Sequence, residues 1–402
     1  MKALGLTRGI IGVSTANGLG SLMTVGALVI ATRGLGPEVW GFSAAAWAAG
    51  QFFGGLVNFG VSTERIRSLA GMSEAEASQA FGSVVAARLL LLLLLILAGV
   101  ILLAAGANFL ALVLFAAAGS SASLLSTAHA YARRNYRAAT VILGGEKGIF
   151  LLIVASASFT ESLTVHTVPV AAGMAGVIML ISVLVVHKPG SSWSGFQEVW
   201  RQYRRSANFG WASLGPSILL LDVLVVGLFA SETQAGFFAV ASRLTSPLSL
   251  LTTAAATALL PVAASITSWE SLRLGSRGAA VLSVFGFGLV SLALLAPLWV
   301  PRAFGSPFEG AIPAIQIYLA NAAVIVVTRI SVTLLQGWNQ ERFAAQAVMF
   351  QCLATLLLVA VGAYVAGAIG AAVAVLWSNI ILSCILVRKA RQTLALRAKS
   401  AP

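Results

Sequence analysis

The chain is poor in the residues from which most active sites are built. It holds one aspartate, Asp222, together with three histidines and two cysteines in 402 residues. Cys352 and Cys384 both sit inside apolar runs, which argues against a disulfide framework and against a zinc site. His129, His166 and His187 fall near the ends of apolar runs, where a wetted imidazole is the ordinary state. No HExxH, GxSxG or phosphate-loop pattern occurs, and paired acids are missing. The chain is therefore read as a non-enzyme, without cofactor and without metal. Charge is the larger deficit: Asp, Glu, Lys and Arg make up 9% of the residues, against about 25% in a soluble domain.

Hydrophobic residues fill the space, at 59% with a mean hydropathy of +0.95. A bilayer core takes about 20 apolar residues per helix, and twelve such runs can be marked. They are 8–32, 38–60, 80–105, 108–130, 139–159 and 165–187, then 207–230, 235–260, 278–300, 311–336, 343–365 and 367–387. The first is too long for a signal-peptide core and has no cleavage pattern, so it reads as a retained first span. The fold expected is an all-α integral membrane protein of twelve helices in two six-helix bundles around a central cavity. The units are an N-lobe (1–187), a cytoplasmic amphipathic linker (188–206) and a C-lobe (207–402) ending in a basic tail.

The net charge of +13 would suggest nucleic acid in a soluble protein, but its distribution does not. Nineteen of the 25 Lys and Arg fall in the N-terminus, the C-terminal tail and every second loop. The alternate loops hold only Arg33 and Arg302. By the positive-inside rule both termini are cytoplasmic. In the linker, Trp193, Phe196, Trp200 and Tyr203 recur every three or four residues beside Arg201, Arg204 and Arg205. That spacing predicts an interfacial helix on anionic headgroups. A weak repeat pairs GFSAAAW (41–47) with GFFAVAS (236–242), and RAATVIL (137–143) with FAAQAVM (343–349). Six spans per half make the halves parallel, as in transporters that rock one bundle against another.

Four cations lie within the spans: Arg88, Lys147, Arg243 and Arg329. Intramembrane charge is expensive and marks candidate sites. Arg243 sits about 12 Å below the outer end of its helix at 1.5 Å per residue, and Asp222 lies equally deep on the preceding helix. An Asp222–Arg243 ion pair and a guanidinium offered to a phosphate are both open readings, and the two can coexist. Pro247 lacks the N–H for the carbonyl of residue 243, so a bend is expected there. Glu146 and Lys147 are neighbours in sequence on different helix faces, for which separate partners are expected. Arg329 and Arg88 lie near inner helix ends, where snorkelling competes with ligand contact. Gly236 and Arg33 are candidates for structural or gating roles. Asn17, Gln51, Asn58, Asn321 and Asn379 either line a polar path or hydrogen-bond between helices.

Three stretches carry a family resemblance. ATRGLGPEVWGF (31–42) with LVNFGVSTERIRSLA (56–70) resembles the first hairpin of polysaccharide-biosynthesis flippases. LLLDVLVVGLFASETQAGFFAVASRLTSPLSLLTTAAATALLPVAAS (219–265) resembles their seventh and eighth helices, and EGAIPAIQIYLANAAVIVVTRISVTLLQGWNQER (309–342) their tenth. These flippases belong to the multidrug/oligosaccharidyl-lipid/polysaccharide superfamily. The resemblance implies alternating-access transfer of a polyprenyl-pyrophosphate-linked oligosaccharide across a bacterial cytoplasmic membrane, for O-antigen, capsule or exopolysaccharide. The partners implied are that lipid-linked oligosaccharide, membrane lipids, and a polymerase with chain-length machinery. Arg243 and Pro247 match the Arg-before-Pro of helix 8 in the related lipid II flippases; the cavity cations of their helix 1 have no counterpart beyond Arg8 and Arg33, at its ends. A cation-coupled drug or metabolite exporter of the same superfamily is the first alternative, with Glu146 as its one plausible N-lobe acid. A membrane enzyme of envelope assembly is the second.

Overall fold

The computed structural model describes residues 2–69, 72, 74–132, 135–187, 196–245, 247–248 and 286–400, and every regular element among them is helical. In chain order these are α1 (Lys2–Asn58), α2 (Val61–Leu69), α3 (Glu74–Ala104), α4 (Asn108–Ala132), α5 (Tyr136–Phe159), α6 (Thr167–His187) and α7 (Phe196–Ile218). A 3₁₀ turn at Leu219–Leu221 leads into α8 (Asp222–Phe229), followed by α9 (232–245) and α10 (Gly286–Leu294). The chain ends with α11 (Ala296–Phe304), a 3₁₀ turn Ser306–Ala311, α12 (Ile312–Gly337) and α13 (Glu341–Ser400). Among the described residues, eight helices are long and apolar enough to cross a membrane, or nine if α10 and α11, bent by 71°, form one span. The lower half of the eighth expected span and the start of the ninth, with the bend expected at Pro247, lie largely outside the described residues.

Two of these helices are broken. At 1.5 Å per residue the 57-residue α1 would run about 85 Å, nearly three times a bilayer core of ~30 Å. It is interrupted at Gly36 (φ 72°, ψ 172°), just before Pro37, which leaves an arm 37–58 of about 33 Å, close to one bilayer core, and a longer arm 2–35 of about 51 Å. The 60-residue α13 breaks at Ala366 and Gly367 (φ 58°), and its two arms press together so closely that a Cβ on Gly362 or Gly370 would strike the other's backbone. The side chain of Gln234 holds this turn, its Oε1 accepting from Ala368 N–H at 2.8 Å.

Packing follows membrane rather than soluble rules. Ala44, Ala45, Ala46, Ala48 and Ala49 are buried, whereas Leu93, Leu97 and Ile101 of α3 are half or more exposed. Lipid solvates leucine as well as a protein core does, so helices associate through small residues that let backbones approach. Between α4 and α6, for example, a Cβ on Gly119 would meet Ala172 and Gly173, and one on Gly176 would meet Gly119. The arm 37–58 is the centre of this arrangement. It seats Gly50 and Gly54 on Ala116 and Ser120 of α4 and Trp47 on Phe150 of α5, and α1 as a whole also packs on α8 of the second half.

The contact between halves is reciprocal. A Cβ on Gly41 would collide with the carbonyl oxygen of Glu232, and one on Gly236 with that of Pro37. Each glycine thus lies on the carbonyl four residues before the other, in the two segments paired by the repeat. Nearby, Arg33 Nε donates to Ala303 O at 2.7 Å and its Nη2 to Arg302 O, carbonyls left open at the end of α11. The linker differs from the expected separate surface helix. From Phe196 onward it is the first part of α7 and runs unbroken to Ile218. Trp200, Arg201, Arg204 and Arg205 are exposed on it, while Gln202 and Ser206 are buried. Of the described aromatics in that spacing, Tyr203 turns inward to Arg88 and Val57, while Trp200 stays exposed among the arginines.

Candidate functional site

Asp222 stands where helical order changes. It opens α8 after the 3₁₀ turn, and its Oδ1 accepts from Val223 N–H at 2.7 Å, an acid on a free N–H of a helix start. Ser231 caps α9 in the same way, accepting from Gln234 N–H at 3.2 Å. On α9 Arg243 faces the seam between the halves. Asp222, Arg243 and Tyr318 of α12 lie within electrostatic reach of one another. Tyr318 also packs edge-on against Phe238, with centroids 5.4 Å apart. Arg243 crosses the seam: Nη1 donates to Gln51 Oε1 at 3.2 Å, and Cζ lies 4.9 Å above the Trp47 ring. Trp47 in turn stacks on Phe150 of α5 at 5.5 Å and 28°.

Behind that aromatic pair is a polar cavity of ≈ 130 Å³. Thr24, Gln51, Ser120, Ser123, Glu146 and Lys147 line it with Trp47 and Phe150. Separate partners were expected for Glu146 and Lys147 from their positions on different helix faces; instead the two pair with each other. Lys147 Nζ bonds Glu146 Oε1 at 2.7 Å, and Ser123 Oγ donates to Glu146 Oε2. A lysine stem is long enough to fold back across the 100° between neighbouring helix positions, and burial rewards mutual neutralisation. The acid of this cavity is thus already matched by a cation.

Arg88 neither snorkels nor faces a cavity. It is 3% exposed and donates through Nη1 to Val57 O and, at 2.9 Å, to Tyr203 Oη; Nη2 donates to Asn58 O at 3.2 Å. Tyr203 Oη donates to the same Val57 carbonyl at 2.5 Å, and the guanidinium lies 4.9 Å above the tyrosine ring. Arg88 therefore satisfies the open carbonyls at the end of α1, a task for which its planar fork is suited. Arg329 is exposed on α12. Of the polar residues considered for a path, Asn379 donates to Asn321 Oδ1 at 3.0 Å between helices, Asn58 accepts from Ser62 and Gln51 serves Arg243.

The six charged candidates thus resolve into one group with Asp222 and Arg243, one with Glu146 and Lys147, and two separate arginines. Trp47 and Tyr318 were not foreseen in the site. Tyr318 had a readable signal, since it lies as far inside the outer end of its span as Arg243 does in its own. Trp47 had none, because sequence does not state which helix Arg243 meets.

No curated protein sequence matches the chain. Solved structures do. A lipid II flippase, MurJ, in an inward closed conformation aligns over 98% of this chain and 90% of its own, at 13% identity and a TM-score of 0.70. An inward-facing multidrug resistance transporter of the MATE family aligns over 97% and 96%, at 13% identity and a TM-score of 0.63. A transporter of the same superfamily from Pyrococcus furiosus aligns over 98% and 96%, at 15% identity and a TM-score of 0.55. At these identities the likeness is one of fold, that of the multidrug/oligosaccharidyl-lipid/polysaccharide transporters. The family model described as polysaccharide biosynthesis protein matches residues 6–267. On that match the chain, a multi-pass membrane protein of transporter fold, belongs to the polysaccharide biosynthesis protein family of this superfamily.

Proposed function

We propose that the protein is a flippase for a polyprenyl-pyrophosphate-linked oligosaccharide, moving it from the inner to the outer leaflet of a bacterial cytoplasmic membrane for O-antigen, capsule or exopolysaccharide synthesis. Twelve spans, residues 1–187 and 207–402 acting as lobes joined by 188–206, and cytoplasmic termini belong to this reading. Glycosyltransferases supply the substrate and a polymerase consumes it. The observation that carries the reading is Arg243, a permanent cation held within the membrane at the seam between halves of a protein of this family. A guanidinium there meets the need of a pyrophosphate headgroup, which must leave water with its charge answered. Asp222 orients Arg243 and moderates its charge, while Tyr318 adds a hydroxyl to the same group. The cation-coupled exporter fits less well, because Glu146 is already neutralised by Lys147.

The test is Arg243→Ala, expected to insert at parental levels and to lose transfer of a fluorescent lipid-linked oligosaccharide in proteoliposomes. Normal transfer by that variant would overturn the reading. Asp222→Arg combined with Arg243→Asp preserves the charge pair in reverse and is expected to restore folding without transfer. Restored transfer would make Arg243 a strut only.

A further inference from the structure

The guanidinium of Arg243 does not stand open. It originates in the second half of the chain and is seated on the first, with Gln51 accepting its Nη1 at 3.2 Å and the Trp47 ring 4.9 Å below its Cζ. Gln51 and Trp47 are four residues apart on the arm 37–58 and so present one helix face. Trp47, 7% exposed, is backed by Phe150, 5% exposed, which holds the ring plane in place. The seat is made of a neutral acceptor and an aromatic face. Both attract a cation, and both bind it less strongly than an oxyanion would.

We infer that Gln51 and Trp47 are positioning residues for Arg243, holding its guanidinium at the seam in the ligand-free protein, with Gln51 setting the site's affinity by competing with a phosphate oxyanion for it. This rests on the reading of Arg243 as the headgroup cation. The two parts act differently. Gln51 occupies an N–H that a pyrophosphate oxygen needs, so it must yield when the ligand binds. Trp47 uses the face of the guanidinium rather than its edge, so it keeps the plane oriented while the N–H donors turn to the ligand. A carboxylate at position 51 would over-hold the arginine, and an aliphatic side chain would release the Nη1 donor that Gln51 occupies. Because the seat and the cation belong to different halves, ligand capture and release of this cross-seam contact draw on the same five N–H groups.

The experiment measures binding of inorganic pyrophosphate to the full-length protein in nanodiscs by titration calorimetry. Relative to the parent, Gln51→Glu is expected to weaken binding by about tenfold or more, equivalent to about 1.4 kcal/mol per tenfold. Gln51→Leu is expected to tighten it by about threefold, as the competing acceptor is removed. Trp47→Leu should weaken it and Trp47→Phe should recover most of the loss, since a smaller ring still offers a face. A merely structural role for Gln51 would move both of its variants in the same direction. That result, or two Gln51 variants within twofold of the parent while Arg243→Ala loses binding, overturns the positioning role alone. Pyrophosphate binding to Arg243→Ala at parental strength, or none to the parent, overturns the headgroup reading and this inference with it. Should Gln51→Leu fail to fold, Gln51→Met, close to glutamine in volume, carries the same expectation.

Discussion

Arg88 and Arg243 show how one residue type serves two ends within a membrane. Both are arginines over an aromatic ring at 4.9 Å. Arg88 commits three of its five N–H donors to two carbonyls at a helix terminus and to a tyrosine hydroxyl, and is itself buried. Arg243 donates to a side-chain amide across the seam and lies within electrostatic reach of an acid on its own half. Replacing Arg88 with alanine would take the guanidinium donor from the buried Asn58 carbonyl and leave Val57 O to Tyr203 alone, at a cost of about 1–3 kcal/mol. Arg88→Ala is therefore expected to lower the unfolding midpoint in detergent markedly while leaving transfer per folded molecule unchanged. Arg88→Lys should not restore the midpoint, because an ammonium cannot fork to two carbonyls while stacking on a ring. Loss of transfer in a fully stable Arg88 variant would place it in the transport path instead.

At the level of elements, what could be read from the sequence depended on whether the signal was local. The hydrophobic run 108–130 corresponds to α4, Asn108–Ala132, within two residues, because burial in lipid demands an uninterrupted apolar stretch. The turn near Gly367 was legible too, since glycine supplies its positive φ. Side-chain partners were not. Lys147 bends back on Glu146, and Arg88 reaches carbonyls about 30 positions earlier, choices made by neighbouring helices rather than by periodicity. The depth of Arg243 could be counted; the helix it would cross to could not. The Gly41–Gly236 crossing offers a test at this scale. Valine at either position must push the arms apart, since each Cβ would enter backbone. With Cys352 and Cys384 changed to serine and one cysteine introduced at Ala44, now fully covered, Gly236→Val is expected to raise labelling by a membrane-impermeant thiol reagent several-fold. Unchanged labelling would mean that this crossing does not seal the seam.

For the whole molecule, the layout of charge and the layout of apolar surface make separate statements. Small residues line close helix contacts while many leucines, isoleucines and valines are exposed on the outside, so the bundle is built to be solvated by lipid. Lys and Arg then orient it, and their bias toward the termini and alternate loops sets an expected outcome. Reporter fusions at Met1 and at Pro402 should both be active only in their cytoplasmic form; opposite sidedness of the two would refute an even number of crossings.

The reciprocal seating of Gly41 and Gly236 is the contact that two copies of one subunit make across a two-fold axis. In a true dimer of identical chains every substitution at such an axis is made twice, so a charge added on one side faces its own duplicate. A single polypeptide escapes that restriction. Counted along the repeat, the residue 195 positions before Arg243 is Ala48, buried and without charge. The axis therefore carries one guanidinium instead of two that would repel, and with it a polarity: one half brings the cation and the other receives it.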